Sequence, residues 1–365
     1  MSIQLYSLSI SARAILDMHS LNNEGGEGNQ IQTRMVNIAD ENGDLHNVNA
    51  VSGDMFKHIQ AEHLFRIARE DPHLPLCQGC REFNANRINA DADFQHLLGE
   101  TTTEKDKKGK SKKHQKHSDA DVLDYLLRQC IIDDIEGILV TSAGTADNSQ
   151  DSDEDGERGG GKSPKRSLPR KSIVEFGWAV GIPQRVETDS YFHVKYAPPS
   201  GRSKSEESRE AEADTGANLG QSIFHRPASS GEYAIVCHVE FARIGYNDIT
   251  QTYAISSEER LRRAKALLES IAYTFIQPNG AMRSSQAPHM VNLAGVVSTS
   301  FGPIPAPTVS PLKGSYREDI RMTQAALERF RPETVYLSEF NSVGEFTDVM
   351  GSLIEQTTPY QIQHR

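Results

Sequence analysis

The sequence predicts an α+β fold with a ferredoxin-like core, the fold of RNA recognition modules. Three observations carry this. Strand-like and helix-like periods follow one another as strand, helix, strand, strand, strand, helix, strand. Two segments, from about residue 54 and from about residue 257, have the apolar spacing of amphipathic helices. Long polar stretches interrupt the pattern without replacing any core element.

The first strand covers roughly residues 2–18. Ile3, Leu5, Ser7 and Ser9 share one face and Gln4, Tyr6, Leu8 and Ile10 the other, so alternation is partial. A Gly/Asn-rich loop is expected at 21–30, then an extended piece at 33–39 and a turn at Asn42-Gly43, a strong hairpin signal. In the first helix Ala61, Leu64, Phe65 and Ala68 form the apolar stripe, with Ser52 or Asp54 as its cap. A short helix at about 119–130 should lead into a buried strand, IEGILVTSAG. KSIVEFGWAVGIP, DSYFHVKYAP and YAIVCHVEFARIGYND read as strands. The second long helix pairs Ser256 with Glu259 as a capping box and buries Ala264, Leu267, Leu268 and Ile271. VNLAGVVSTS is a strand, and two terminal helices flank the strand ETVYLSEF. A single domain over 1–365 is expected, with mobile insertions at 101–119, 145–169 and 198–220, whose polar composition cannot offset the entropy of ordering.

Hydrophobic residues make up 37% of the 365, and the deficit lies in those insertions. No apolar run approaches a membrane span, and the N-terminus reads as a strand rather than a signal peptide. Four cysteines do not make a disulfide framework, so a cytoplasmic home is expected. The net charge of −11 argues against nucleic acid when taken alone. It is unevenly placed: acids crowd 147–157, whereas 105–117 and 158–171 are basic, so a local basic groove stays open.

Two N-terminal motifs carry a family resemblance. Asn22, Asn23, Glu24 and Gly25 follow the first strand, and Ser52, Gly53, Met55, Lys57 and His58 open the first helix. With weaker matches at PRKSIVEFGWA (169–179), SSGEYAIV (229–236) and PNGAMRSSQAPH (278–289), the chain resembles the DevR-type branch of the Cascade backbone subunits, the CRISPR-associated "seven" family. The likeness is scattered over most of the chain and omits the three insertions. It implies a modified RNA recognition motif with a protruding thumb, copies of which line up along one crRNA. The implied partners are crRNA, target DNA, neighbouring copies of the chain and other Cascade subunits, with no membrane.

Read from the residues, Ser52-Gly53 joins a turn to a helix N-terminus, which favours a phosphate, and Lys57 and His58 add a charge and a donor. An ordinary helix start is the plain alternative. Asn22 and Asn23 offer amide donors or form a solvated hairpin tip. Arg13 and Arg34 flank that loop, as phosphate contacts or ordinary surface arginines. Arg283, Ser284, Ser285 and His289 make a second candidate backbone-contacting loop, or a plain connection. Phe176, Trp178, Tyr191, Phe192 and Tyr196 are thumb or stacking candidates, although alternate aromatics in strands more often fill a core. Cys77-x-x-Cys80, with His63 and His73 upstream, is half a zinc site that Cys130 could complete; two ordinary thiols are the alternative, and no other cofactor is indicated.

No catalytic set emerges: there is no HExxH, GxSxG or P-loop, so an enzyme is not expected. The expected function is a crRNA-binding backbone subunit of a type I surveillance complex that polymerises along the guide and supports target DNA recognition. The alternatives are an RNA-processing endonuclease with His58 as acid/base near Asp54, and a DNA-binding autoregulator.

Overall fold

The computed structural model describes residues 3–27, 30–105, 111–141, 166–196, 221–280 and 287–363. The expected first strand is two, β1 (Ile3–Leu5) and β2 (Ser7–His19), broken at Tyr6. The Asn/Gly-rich stretch is no plain loop, because β3 (Asn23–Glu27) and β4 (Gln30–Thr33) pair across it. β5 (Met35–Ala39) and β6 (Leu45–Val51) form the hairpin that Asn42-Gly43 predicts. α1 (Gly53–Glu70) is capped by Ser52 and not by Asp54: its Oγ accepts the Met55 N–H at 3.2 Å.

Between residues 71 and 141 the periodic signal weakens, and short elements were missed there: α2 (Gln78–Arg81) and α3 (Ala92–Gly99). The basic stretch expected as an insertion carries a hairpin, β7 (Thr101–Lys105) with β8 (Ser111–Gln115); residues 106–110 lie outside the described set. α4 (Asp119–Gln129) is followed at once by α5 (Ile131–Glu136), which takes residues from the expected strand and leaves β9 (Ile138–Thr141). The other two expected insertions fall largely on residues 142–165 and 197–220, outside the described residues.

The later chain runs β10 (Ser167–Arg170), β11 (Val174–Phe176), β12 (Ala179–Tyr196), β13 (Gln221–Glu240), β14 (Tyr246–Asn247) and β15 (Thr252–Tyr253). Then come α6 (Ser257–Ile276), β16 (His289–Ser300), α7 (Tyr316–Leu327), β17 (Val335–Phe340), α8 (Val343–Gln356) and β18 (Thr357–Pro359). Ser256 caps α6, but the capping box is not closed: the Glu259 carboxylate turns to Arg263 one helical turn on.

The fold is mixed α and β, built on one large sheet in the order β17-β16-β2-β13-β12-β6-β5, antiparallel at every step of that path. α1 follows β2, α6 follows β13, and the two helices pack together on one face, with α8 beside α6. Leu8, Ile10, Ala12, Ala14 and Leu16 of β2 point into that core. Between the helices sit Phe56, Phe176 and Phe275, ring centroids 6.0–6.5 Å apart, with Phe346 5.2 Å from Phe275. Burying such a side chain is worth about 1.5–3 kcal/mol, so this cluster anchors the helical layer.

The opposite face of β2 presents Ser7, Ser9, Ser11 and Arg13. The 301–315 segment covers it. Ser9 Oγ donates to the Ala306 carbonyl at 3.1 Å, Ser7 Oγ accepts the Ala306 N–H at 3.0 Å, and Ser11 Oγ lies 3.0 Å from the Thr308 hydroxyl. Short hydroxyl side chains let a loop lie close on a sheet while satisfying its backbone.

β12 and β13 pair on towards a projecting ribbon, Val186 facing Gly231 through to Tyr196 facing Gln221, with β4 alongside β13 at His225. Register shifts at Gly181/Val186 and at Ser229/Gly231 mark its root. Gly231 is needed there: its φ is 148°, and a Cβ would lie 2.2 Å from the Arg185 carbonyl oxygen.

Beside the core is a buried charge cluster. Asp134 accepts from Arg170 Nη2 at 2.7 Å, Arg263 Nη1 at 2.8 Å and the Gly245 N–H at 2.9 Å, with all three side chains fully buried. Arg170 also donates to the carbonyls of Arg243 and Tyr246. This ties α5, α6, β10 and the 243–248 turn to one carboxylate.

Candidate nucleic-acid interface

The N-terminus of α1 is where motifs distant in sequence meet. Asn22 is buried, and its Oδ1 accepts from Ser52 Oγ at 3.0 Å and from the Ser52 N–H at 3.3 Å. Its Nδ2 is buried with no hydrogen-bond partner among the described residues. A Cβ on Gly53 would lie 2.2 Å from the Phe176 carbonyl oxygen, and one on Gly280 would lie 2.4 Å from Leu21 Cα. So the Ser-Gly motif admits the backbone of Phe176, and the Asn-Gly motif at 279–280 admits the backbone of Leu21 beside Asn22. Gly53→Val should therefore act on folding before it acts on any ligand. An expected loss of about 2–3 kcal/mol from overpacking is checked by thermal unfolding, with Gly351→Ala as the contrast. A Cβ at Gly351 meets nothing within 4 Å, so that helix interior should gain up to about 1 kcal/mol.

One turn into α1, Lys57 and His58 open onto a cleft of about 360 Å³ with Asp54, Arg87, Glu136 and Gly137. Burial lowers the Lys57 pKa, opposed by the charge of Glu136. Glu136 is buried, neither oxygen making a hydrogen bond among the described residues. Burial pushes its carboxyl up to about 7, against the pull of Lys57 and Arg87. Arg87 holds its place through Nη1 to the Gly137 carbonyl at 2.8 Å, with a left-handed backbone at φ 50°. The cleft thus sets Lys57 and Arg87 beside a buried acid whose carboxyl is pushed up to about 7. An anion bound there should favour protonated Glu136, so affinity should rise as pH falls from about 8 to about 6. Glu136→Gln should flatten that profile. The same group's folded pKa lies above its unfolded value. Its stability contribution is therefore full in acid and lost as pH rises through about 7.

The remaining candidates are dispersed. Arg13 sits mid-strand in β2, donating to the carbonyls of Pro311 (2.8 Å) and Lys313 (3.4 Å) and pairing with Glu232 at 3.4 Å, in a separate cleft with Tyr316, Arg317 and Arg321. Arg34 lies over the half-exposed Trp178 ring, 5.1 Å from its centroid. His289 begins β16 opposite Asp17. Arg283, Ser284 and Ser285 lie outside the described residues, as does the Asn23 side chain. Of the aromatics, Phe176 is packed against the core, Tyr191 and Phe192 are exposed on the ribbon, and Tyr196 has no described side chain.

Residues 10–321 match the family described as CRISPR-associated negative auto-regulator DevR/Csa2. The chain belongs to the DevR/Csa2 family. No curated protein matches it. Among solved structures, it is similar to a chain of a CRISPR RNA-guided surveillance complex, pre-nicking, at 12% identity and a TM-score of 0.42, covering 97% of this chain and 96% of that one. A chain of a second CRISPR RNA-guided surveillance complex aligns at 9% identity and 0.42, covering 96% and 98%. Csc2 of Thermofilum pendens aligns at 10% identity and 0.35, covering 97% and 87%.

In this DevR/Csa2 chain, sequence reading missed Arg87 and Glu136. Neither stands in a motif, and folding alone brings them to Lys57. Cys77 and Cys80 do meet Cys130, and Asp133 joins them, whereas His63 turns to the Gln277 carbonyl at 3.2 Å. No helix among the described residues is long and apolar enough to cross a membrane.

Proposed function

We propose that this DevR/Csa2 chain is a crRNA-binding backbone subunit of a type I CRISPR surveillance complex, polymerising along the guide and presenting it to target DNA without catalysing a reaction. The family match over residues 10–321 carries this reading. The strand order β16-β2-β13-β12, with α1 and α6 on one face, supports a ferredoxin-like core of the RNA recognition type. We assign the guide phosphates to the α1 cleft, with Lys57, His58 and Arg87 as the contacting set. Asn22, Ser52 and Gly53 fix the helix start behind it. The ribbon with exposed Tyr191 and Phe192 suits a thumb that separates bases.

Titration of labelled RNAs of unrelated sequence tests the proposal. Affinity should depend little on sequence and fall steeply with salt, each neutralised phosphate adding about −0.7 to the slope of log K against log salt. The RNA should come through intact; shortening would favour a processing enzyme. The family's description as a negative auto-regulator keeps a second reading in view. Tight binding to the chain's own promoter DNA, with weak binding to RNA, would support it.

A further inference from the structure

Behind the α1 cleft lies a second constellation with different chemistry. Cys77, Cys80, Cys130 and Asp133 are all buried, and their four ligand atoms lie within 4.8 Å of one another. We propose that these four side chains bind one zinc ion, three as thiolates and one as a carboxylate.

The geometry fits one tetrahedral ion. Zinc–sulfur bonds of about 2.3 Å and zinc–oxygen bonds of about 2.0–2.2 Å put neighbouring ligand atoms roughly 3.5–3.8 Å apart. Here Asp133 Oδ2 lies 3.4 Å from Cys77 Sγ and 3.8 Å from Cys80 Sγ. The ligands come as two pairs of equal spacing, Cys77-x-x-Cys80 and Cys130-x-x-Asp133, each at the start of a short helix. The Ile131 N–H donates to the Pro75 carbonyl at 2.9 Å and holds the pairs face to face. The Cys80 N–H points at Cys77 Sγ at 3.4 Å, as backbone donors do toward metal-bound thiolates.

Two further features point to a cation. Asp133 Oδ1 is buried without a hydrogen-bond partner among the described residues, which is costly for a carboxylate. Four acidic or thiol groups are also gathered where a well-packed core would place apolar side chains. Soft thiolates select zinc over calcium or magnesium, and the compact spacing suits one ion rather than a cluster. Binding balances as Zn²⁺ replacing the protons carried by the three thiols and by the Asp133 carboxyl, all of which leave to solvent. The ion would pin the 77–90 segment, which carries Phe83 and Arg87, to α5 beneath the cleft.

The test is metal analysis of the full chain, purified reduced from zinc-replete medium. One zinc per chain is expected, lost in Cys77→Ser and in Cys130→Ser, and retained in Cys237→Ser, whose thiol is buried in β13 outside the cluster. Because the ligand variants could fail to fold, cobalt(II) is also titrated into unmutated protein after chelator treatment. Intense visible bands of a tetrahedral thiolate site should saturate at one equivalent. No stoichiometric zinc and no such bands would overturn the proposal. So would zinc that survives Cys77→Ser, or a Cys77–Cys80 disulfide that persists under reductant. None of these outcomes depends on RNA binding, so the two proposals fail separately.

Discussion

Asp134→Ala should destabilise the protein by about 3–5 kcal/mol, because it leaves two fully buried guanidinium groups without their shared carboxylate. Arg170 keeps its bonds to the Arg243 and Tyr246 carbonyls and its exposed partner Asp248. Among the described residues Arg263 keeps only Glu259. The turn at 245 loses its N–H acceptor as well. Unfolding in denaturant reads the loss directly. The contrast is Arg262→Ala, next to Arg263 on α6, which removes a solvent-accessible pair with Glu258 four residues earlier and should change stability by less than about 1 kcal/mol.

Lys57→Ala combined with Arg87→Ala should leave a folded protein that scarcely assembles on RNA. Charge-assisted hydrogen bonds to a phosphate are worth about 1.5–3 kcal/mol each, so each loss weakens one copy's grip roughly tenfold or more. The loss repeats in every copy along a guide. Folding should suffer little from the lysine, which is already partly desolvated and sits one turn into α1, near the helix end whose dipole does not favour a cation. Its removal also takes away a charge that holds Glu136 down, so that buried carboxyl should stay protonated to higher pH. Arg87→Ala gives up the bond to the Gly137 carbonyl, a loss of about 1 kcal/mol. The variant is checked by circular dichroism for fold, then by counting copies per guide in the purified complex. Normal occupancy at physiological salt would move the phosphate site elsewhere.

The long elements were legible because their periods were long. α1, α6, β13 and β16 each bury a continuous face, and Ala264, Leu267, Leu268 and Ile271 all lie inside as the spacing implies. The interlocking of the motifs was not legible. Asn22 looks like a solvated loop amide, yet it is buried under Ser52, a contact made 30 residues apart in sequence. Arg13 looks like a cation beside a loop, but in β2 it points to the sheet face covered by the 301–315 segment, whose carbonyls take its Nε and Nη2 while Glu232 takes Nη1. The burial of α6 arginines carries no signal in the sequence: Arg260 and Arg263 are fully buried because carbonyls and carboxylates from other elements surround them. Cys77-x-x-Cys80 could be seen as half a site; Asp133 falls between the expected helix at 119–130 and the expected strand from Ile135, in a short helix that apolar spacing does not reveal.

The central claim is that copies of this chain coat RNA by its backbone. Native mass spectrometry of the purified chain on synthetic RNAs of increasing length tests it most directly. The number of bound copies should rise in equal steps with length, the same for unrelated sequences, and collapse for the Lys57→Ala, Arg87→Ala variant. One copy per RNA at every length, or copies that track sequence rather than length, would contradict it.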